Sequence, residues 1–188
     1  MKKDYKIAVI GGSAGSFNLV RRILESLPAT FPLPVVLCLH RRRDFRNGFV
    51  ESLNPGSSLK VVEPLDKDPI KKGYVYLAPS NYHLIVETGD TISLSTGEEE
   101  NYSRPSIDLT FESAVEAYGE KMIAILLSGA NSDGAKGMAC TKRKGGLTIV
   151  QSPEDAPFDT MPREALKLFS PDRIMSCDEI ISFLKSLK

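Results

Sequence analysis

The sequence carries no excess charge of either sign. Its 188 residues hold 24 Lys and Arg against 24 Asp and Glu, a formal net charge of zero. A chain so balanced lacks the basic footprint of a nucleic-acid binder, and nucleic acid is not an expected partner. Cysteine is scarce. Cys38, Cys140 and Cys177 are odd in number and far apart, with no C-x-x-C pair. That argues against a disulfide framework and against structural zinc, so neither metal nor cofactor is expected. Cys38 and Cys140 lie in apolar surroundings and read as small core residues. Long apolar runs are missing as well. Ile7 to Ile10 follows Lys2 and Lys3 but is too short for a signal peptide or a membrane span, and no later run comes near one. Membrane insertion is therefore not expected, and the cytoplasm is the default location. Repeats, linkers and low-complexity stretches are absent, and the length suits a single domain, 1–188, with a substantial core. Histidine is rare, only His40 and His83, which confines imidazole chemistry to two positions.

The most informative stretch runs from Lys6 to Ser16. The apolar Ile7-Ala8-Val9-Ile10 meets the turn Gly11-Gly12-Ser13-Ala14-Gly15, and an amphipathic segment follows. This is strand, tight turn and helix, and the turn fits the G-x-S-x-G pattern of a nucleophile elbow. Glycine permits positive φ and close backbone approach, so the turn can lift Ser13 clear of a sheet near the positive end of the next helix. A dinucleotide fingerprint fits less well, because it would need glycine where Ser13 and Ser16 stand. A looser phosphate-binding turn remains a physical alternative.

Helical spacing from Phe17 to Leu27 follows, with Ser16 available as its cap. Pro34 to Leu39 is a continuous apolar run, as in a strand buried on both faces; it ends at His40, before Arg41-Arg42-Arg43. Phe45 to Leu53 reads as a short helix. Leu59–Val62, Tyr74–Ala78, His83–Val86 and Thr91–Leu94 are short strands, closely punctuated by turn residues. Their tight spacing predicts an antiparallel edge or ribbon, and the polar stretch Gly97 to Asn101 predicts a mobile loop. Helix returns over Ile107–Tyr118, strand over Met122–Leu127 and helix from about Ala135. Leu147–Val150 is a strand; Met161–Phe169 and Ile180–Leu187 are helices. Strands alternating with helices define an α/β fold: a doubly wound, mostly parallel sheet with helices on both faces and a short antiparallel edge or hairpin.

Ligands of such sheets bind beyond the carboxyl ends of the strands. Ser13, His40 and Asp133 all fall at such ends. They suit nucleophile, general base and orienting carboxylate. A serine hydroxyl needs an imidazole to take its proton, and the carboxylate fixes the imidazole tautomer. Both histidines precede Asp133, so the order is Ser, His, Asp and not the Ser, acid, His of α/β-hydrolases. Each residue also has a plainer reading. His40 can simply end a strand, Asp133 before Gly134 can cap a helix or form a turn, and His83 can bond locally within a hairpin.

At these residues the chain resembles the catalytic domain of the chemotaxis protein-glutamate methylesterase (CheB-type) family, in motif order and over nearly its whole length. Ile10-Gly11-Gly12-Ser13-Ala14-Gly15, His40, Val75-Tyr76-Leu77-Ala78-Pro79 with His83, Arg104-Pro105-Ser106-Ile107-Asp108, Leu127-Ser128-Gly129 with Asp133-Gly134-Ala135, and Met161-Pro162-Arg163-Glu164-Ala165 carry the likeness. The resemblance implies hydrolysis of glutamate γ-methyl esters on a chemoreceptor-like protein, with Ser13 attacking, His40 moving the proton and Asp133 orienting His40. Glutamine deamidation is the same acyl chemistry. Main-chain N–H groups near Ala14 and Ala130 are the expected oxyanion donors, and His83 and Arg104 are expected in the substrate region.

The chain departs from the family at Ala14, usually threonine, and at Ala130-Asn131, usually Met-Gly. It departs again at Arg41-Arg42, usually Met-Pro; with Arg43 these arginines would steer a glutamate-rich receptor helix. Regulated members carry a receiver domain before the esterase, whereas here the first core strand is reached by Lys6, so either the receiver is absent or the sequence is a trimmed piece; Met1 favours a stand-alone enzyme, whose regulation would lie in a separate receiver or kinase protein or not exist. Two other readings are a nucleotide-phosphate-binding module, with phosphate on the Gly11–Gly15 turn, and a catalytically weak relative serving as a signalling interaction domain.

Overall fold

The computed structural model describes residues 4–40 and 48–188. The expected helix from Phe45 begins partly outside that range; within it, helix runs over Phe49–Leu53.

The strands, in chain order, are β1 (Ile7–Gly12), β2 (Val35–Leu39), β3 (Lys60–Val62), β4 (Tyr74–Leu77), β5 (His83–Glu87), β6 (Thr91–Ser95), β7 (Met122–Leu126), β8 (Leu147–Gln151) and β9 (Arg173–Met175). The α-helices are α1 (Ser16–Ser26), α2 (Phe49–Leu53), α3 (Ile107–Tyr118), α4 (Ala135–Arg143), α5 (Thr160–Leu168) and α6 (Cys177–Lys185). Among the described residues, seven strands form one sheet in the order β3-β4-β2-β1-β7-β8-β9. Every pairing in that sheet is parallel.

Both faces of the sheet are covered, which is why its central strands read as unbroken apolar runs. Side chains alternate across a strand. Ala8 and Ile10 therefore join Leu19, Val20, Ile23 and Leu24 of α1 and Ile180 and Leu184 of α6 in one core. Ile7 and Val9 join Ile107 and Phe111 of α3, Met138 of α4 and Met161 of α5 in the other. A charged group at Ile10 or Val9 would have no exposed face to turn to, since each is at most 1% exposed.

The predicted antiparallel edge resolves into two parts. Strands β3 and β4 join the parallel sheet, whereas β5 and β6 form a separate antiparallel ribbon. The ribbon lies against α3, where Thr110 Oγ1 donates to Leu84 O at 3.0 Å and Val86 N–H donates to Ser113 Oγ at 3.1 Å. Strand β9 escaped the sequence pattern because Arg173 and Ile174 are exposed; main-chain pairing to β8 places it at the sheet edge.

The chain leaves β1 to build one half of the sheet and returns beside β1 as β7 to build the other. That reversal makes the carboxyl ends of β1 and β7 the topological switch point, where α/β sheets form their ligand crevice.

Candidate active site

Three loops meet at this crevice. Gly12 pairs with Leu39 at the end of the β1–β2 register, so Ser13 and His40, the first residue beyond each strand, follow side by side. His40 N–H donates to Gly12 O at 3.1 Å, and Ser13 N–H donates to Ser128 O at 2.9 Å. The elbow differs in detail from its sequence reading. Gly11 and Gly12 are strand residues, and only Gly15 takes positive φ, at 76°. Gly11 is needed for close packing: a Cβ there would stand 2.4 Å from Ile107 Cγ2 and 3.1 Å from Phe111 Cζ. Ser16 is not the helix cap; Gly15 holds that position, and Ser16 Oγ donates back to Ser13 O at 2.6 Å, tightening the turn.

The loop after β7 is clipped to the start of α5. Ser128 Oγ donates to Ala14 O at 2.8 Å and accepts Phe158 N–H at 2.9 Å. Gly129 N–H donates to Phe158 O, and Met161 N–H donates to Gly129 O. Within this frame the Ala14 and Ala130 N–H groups have no acceptor among the described residues, and Ser13 Oγ likewise makes no hydrogen bond there. Unpaired N–H groups beside a free hydroxyl are suited to an anionic oxygen.

Asp133 is fully buried and surrounded by donors. Its Oδ2 accepts His40 Nε2–H and Ile107 N–H, both at 2.7 Å. Its Oδ1 accepts from Asn101 Nδ2, Ser106 Oγ, Asp108 N and Gly134 N at 3.0–3.2 Å. Ser106 is the N-cap of α3, so the carboxylate sits on that helix's N-terminus, where the unpaired N–H groups and the macrodipole favour an anion. Burial pushes the Asp133 carboxyl up, but the His40 hydrogen bond and the Ile107 and Asp108 N–H groups outweigh it and hold the group below the usual carboxylate range. Asp133 is therefore not the cap of its own following helix; Gly134 is.

An ionised Asp133 fixes His40 with the proton on Nε2, leaving the Nδ1 lone pair free to accept. Nδ1 faces Asn131 Nδ2 at 3.3 Å, while Asn131 Oδ1 accepts Asp133 N–H at 3.2 Å. Behind Asp133, Asn101 Nδ2 also donates to Asp108 Oδ2 at 3.1 Å, and Asp108 Oδ1 accepts Gly137 N–H at 2.8 Å. Burial first, with the nearby Asp133 charge adding to it against the Gly137 hydrogen bond, pushes Asp108 up to about 6.

The structure thus brings His40 and Asp133 into direct contact and sets Ser13 next to His40 in the sheet register. His83 and Arg104 are committed elsewhere. His83 is 2% exposed; its Nδ1 accepts Ser106 N–H and its Nε2 donates to Glu98 O. Arg104 donates to Asn81 Oδ1 and to the carbonyls of Thr96 and Gly97. Both side chains hold the Gly97–Asn101 segment, which is tied down and not the free loop its polarity suggested. The Arg41–Arg43 run lies outside the described residues.

Sequence reasoning passed over Asn101, Ser106 and Asp108 as supports of Asp133. The N-cap signature of Ser106 before an apolar-periodic run was available; that its helix would point at Asp133 is a tertiary fact. The Arg104–Asp108 motif marked the neighbourhood without assigning these contacts.

A parallel α/β sheet with a buried carboxylate bonded to an imidazole, beside a serine whose hydroxyl has no hydrogen bond among the described residues, is the architecture of a hydrolase. Comparison with known proteins agrees. The model of the CheB methylesterase family matches residues 8–184, and the chain belongs to that family. The crystal structure of the Thermotoga maritima CheB methylesterase catalytic domain superposes with a TM-score of 0.91 at 32% identity, over 96% of this chain and 97% of that one. A Leptospira interrogans protein, provisionally named a protein-glutamate methylesterase/protein-glutamine glutaminase, is 43% identical over 177 residues, which are 94% of this chain and 92% of the relative. Protein-glutamate methylesterase/protein-glutamine glutaminase 4 of Geobacter metallireducens is 38% identical over 183 residues; there the match spans 97% of this chain but only 53% of the relative. Among the described residues, no helix is long and apolar enough to cross a membrane.

Proposed function

We propose that the chain hydrolyses glutamate γ-methyl esters on a chemoreceptor-like protein, in the cytoplasm, through Ser13, His40 and Asp133. The Nε2–Asp133 contact carries this reading, because it reserves the other imidazole nitrogen for the residue beside it in the register, Ser13. Ser13 Oγ attacks the ester carbonyl as its proton passes to His40 Nδ1. The Ala14 and Ala130 N–H groups take the developing oxyanion; one such donor contributes on the order of 10²–10³ in rate. His40 Nδ1–H then protonates the departing methoxide, which leaves as methanol. Water, deprotonated by the same nitrogen, cleaves the glutamyl–Ser13 ester and restores the hydroxyl. Asp133 holds the tautomer and stabilises the imidazolium at both stages.

Glutamine deamidation follows the same path, with ammonia leaving in place of methanol; the paired names of the relatives favour this second activity. A separate receiver or kinase protein would supply regulation. The chemistry is tested with a fluorophosphonate, which phosphonylates an activated serine with loss of fluoride. The expected result is a single adduct on the peptide bearing Ser13, lost in Ser13→Ala and strongly slowed in His40→Gln. An adduct elsewhere, or none, counts against the mechanism and favours a fold kept only for binding.

A further inference from the structure

Asn131 engages the wrong end of His40 for a bystander. Nδ1 is the nitrogen that must accept the Ser13 proton, yet its hydrogen-bond partner in the structure is the Asn131 amide, at 3.3 Å. The orientation of that amide is set by chemistry. Asp133 N–H can only donate, so the oxygen of Asn131 must face it, at 3.2 Å, and the NH2 must face His40. The imidazole is thereby held at both ends, by Asp133 on Nε2 and by Asn131 on Nδ1. Ser13 Oγ, meanwhile, has no hydrogen bond among the described residues.

We infer that Asn131 is a positioning residue that competes with Ser13 for His40 Nδ1, so that the resting site holds its general base occupied until the amide lets go. This rests on the proposed roles of Ser13 and His40. One N–H cannot leave the lone pair of Nδ1 available to a second donor at full strength, so forming the Ser13–His40 hydrogen bond first costs the Asn131 contact. A net hydrogen bond of ordinary strength corresponds to roughly a 2- to 10-fold handicap in reactivity. Binding of the substrate chain near the loop after β7 is the natural moment for release, since Asn131 lies next to Ala130, one of the proposed oxyanion donors. The residue is short, polar and at the rim of the site, so its withdrawal requires no rearrangement of either core.

Two variants separate this role from a structural one. Asn131→Gly removes the amide. Asn131→Ser also removes it from His40 but keeps a hydroxyl able to accept Asp133 N–H, which preserves the local turn. Each is compared with wild type in two measurements. The first is the ¹⁵N shift of the imidazole nitrogens, readily assigned because the chain has only two histidines. The second is the rate constant for fluorophosphonate labelling of Ser13. Occupation by Asn131 predicts that, with the shifts read in a Ser13→Ala background so that no serine can take the vacated nitrogen, both Asn131 changes move His40 Nδ1 downfield, toward an unbonded nitrogen, with His83 unmoved, and that with Ser13 present both label roughly 2- to 10-fold faster. With methylated receptor, the same variants are expected to raise kcat more than they change KM. An unmoved Nδ1 shift overturns the contact itself. A moved shift with unchanged or slower labelling overturns the competition and makes Asn131 a productive support of His40. No labelling in any of the three proteins refutes Ser13 as nucleophile, and with it any restraint by Asn131 on catalysis, even where the nitrogen shift bears out the contact.

Discussion

Replacing Asp133 by asparagine exchanges one oxygen for an NH2 in a cavity where every neighbour but the His40 imidazole and the Ser106 hydroxyl is obliged to donate. If the amide oxygen stays at the Oδ1 side, the new NH2 faces Ile107 N–H and His40 Nε2, each at 2.7 Å from the present oxygen. Ile107 N–H is then stranded. His40 can accept only by moving its proton to Nδ1, the nitrogen Ser13 needs. If the amide flips, the NH2 confronts Asn101 Nδ2, Asp108 N and Gly134 N, and only the Ser106 hydroxyl can turn round to accept. Either way a buried donor loses its acceptor, at a cost of roughly 1–3 kcal/mol. For a domain of this size that lowers Tm by about 2–4 °C per kcal/mol. The catalytic cost is far larger: a wrong imidazole tautomer reduces kcat on the order of 10⁴-fold. Asp133→Asn should therefore remain folded by circular dichroism, melt a few degrees early and lose nearly all turnover. A variant that melts early but keeps most of its turnover would refute the tautomer argument and reduce Asp133 to a structural anchor of α3.

Other outcomes follow from the same contacts. Asp108 is pushed from 3.8 to about 6 by burial, aided by the Asp133 charge. Its folded pKa lies above its unfolded one, so its contribution to stability is complete below about pH 4 and is lost as pH rises through about 6. The loss is roughly 3 kcal/mol at 1.36 kcal/mol per unit. Asp108→Asn should gain stability relative to wild type as pH rises from about 4 to 7, read by urea denaturation; a pH-independent difference would contradict this. Gly137→Ala gains about 1 kcal/mol of helix propensity, but its Cβ would stand 2.8 Å from Asp108 O and 2.7 Å from Phe111 Cβ. Neither is a flexible side-chain end, so a net loss of roughly 1–2 kcal/mol is expected by denaturant titration. Ser106→Ala removes the α3 cap and one Asp133 donor, which should cost about 1 kcal/mol of stability.

The parallel sheet was legible because its central strands are buried on both faces and so print continuous apolar runs, as Pro34–Leu39 and Met122–Leu127 do. Ser13, His40 and Asp133 stood out because each follows such a run, and strand ends in this architecture converge. The separation of the β5–β6 ribbon from β3 and β4 was not legible, since short strands with the same turn chemistry serve either arrangement. Strand β9 was hidden by its exposed Arg173 and Ile174. The second set of site residues was hidden for a different reason. Asn101, Ser106 and Asp108 act on Asp133 through one amide, one hydroxyl and one main-chain N–H. Only the packing of α3 against the loop after β7 gives those groups a common target. Arg104 and His83 illustrate the converse: their chemistry suited a substrate role, yet the structure engages them with Asn81, the Thr96, Gly97 and Glu98 carbonyls and the Ser106 N–H.

The most direct test of the account is methanol release from methylated chemoreceptor of the same organism by wild type and by Ser13→Ala, with the fold of both checked by circular dichroism. The account predicts release by wild type and its abolition in the variant. Equal release by the two proteins would contradict it, removing Ser13 as nucleophile and the mechanism with it.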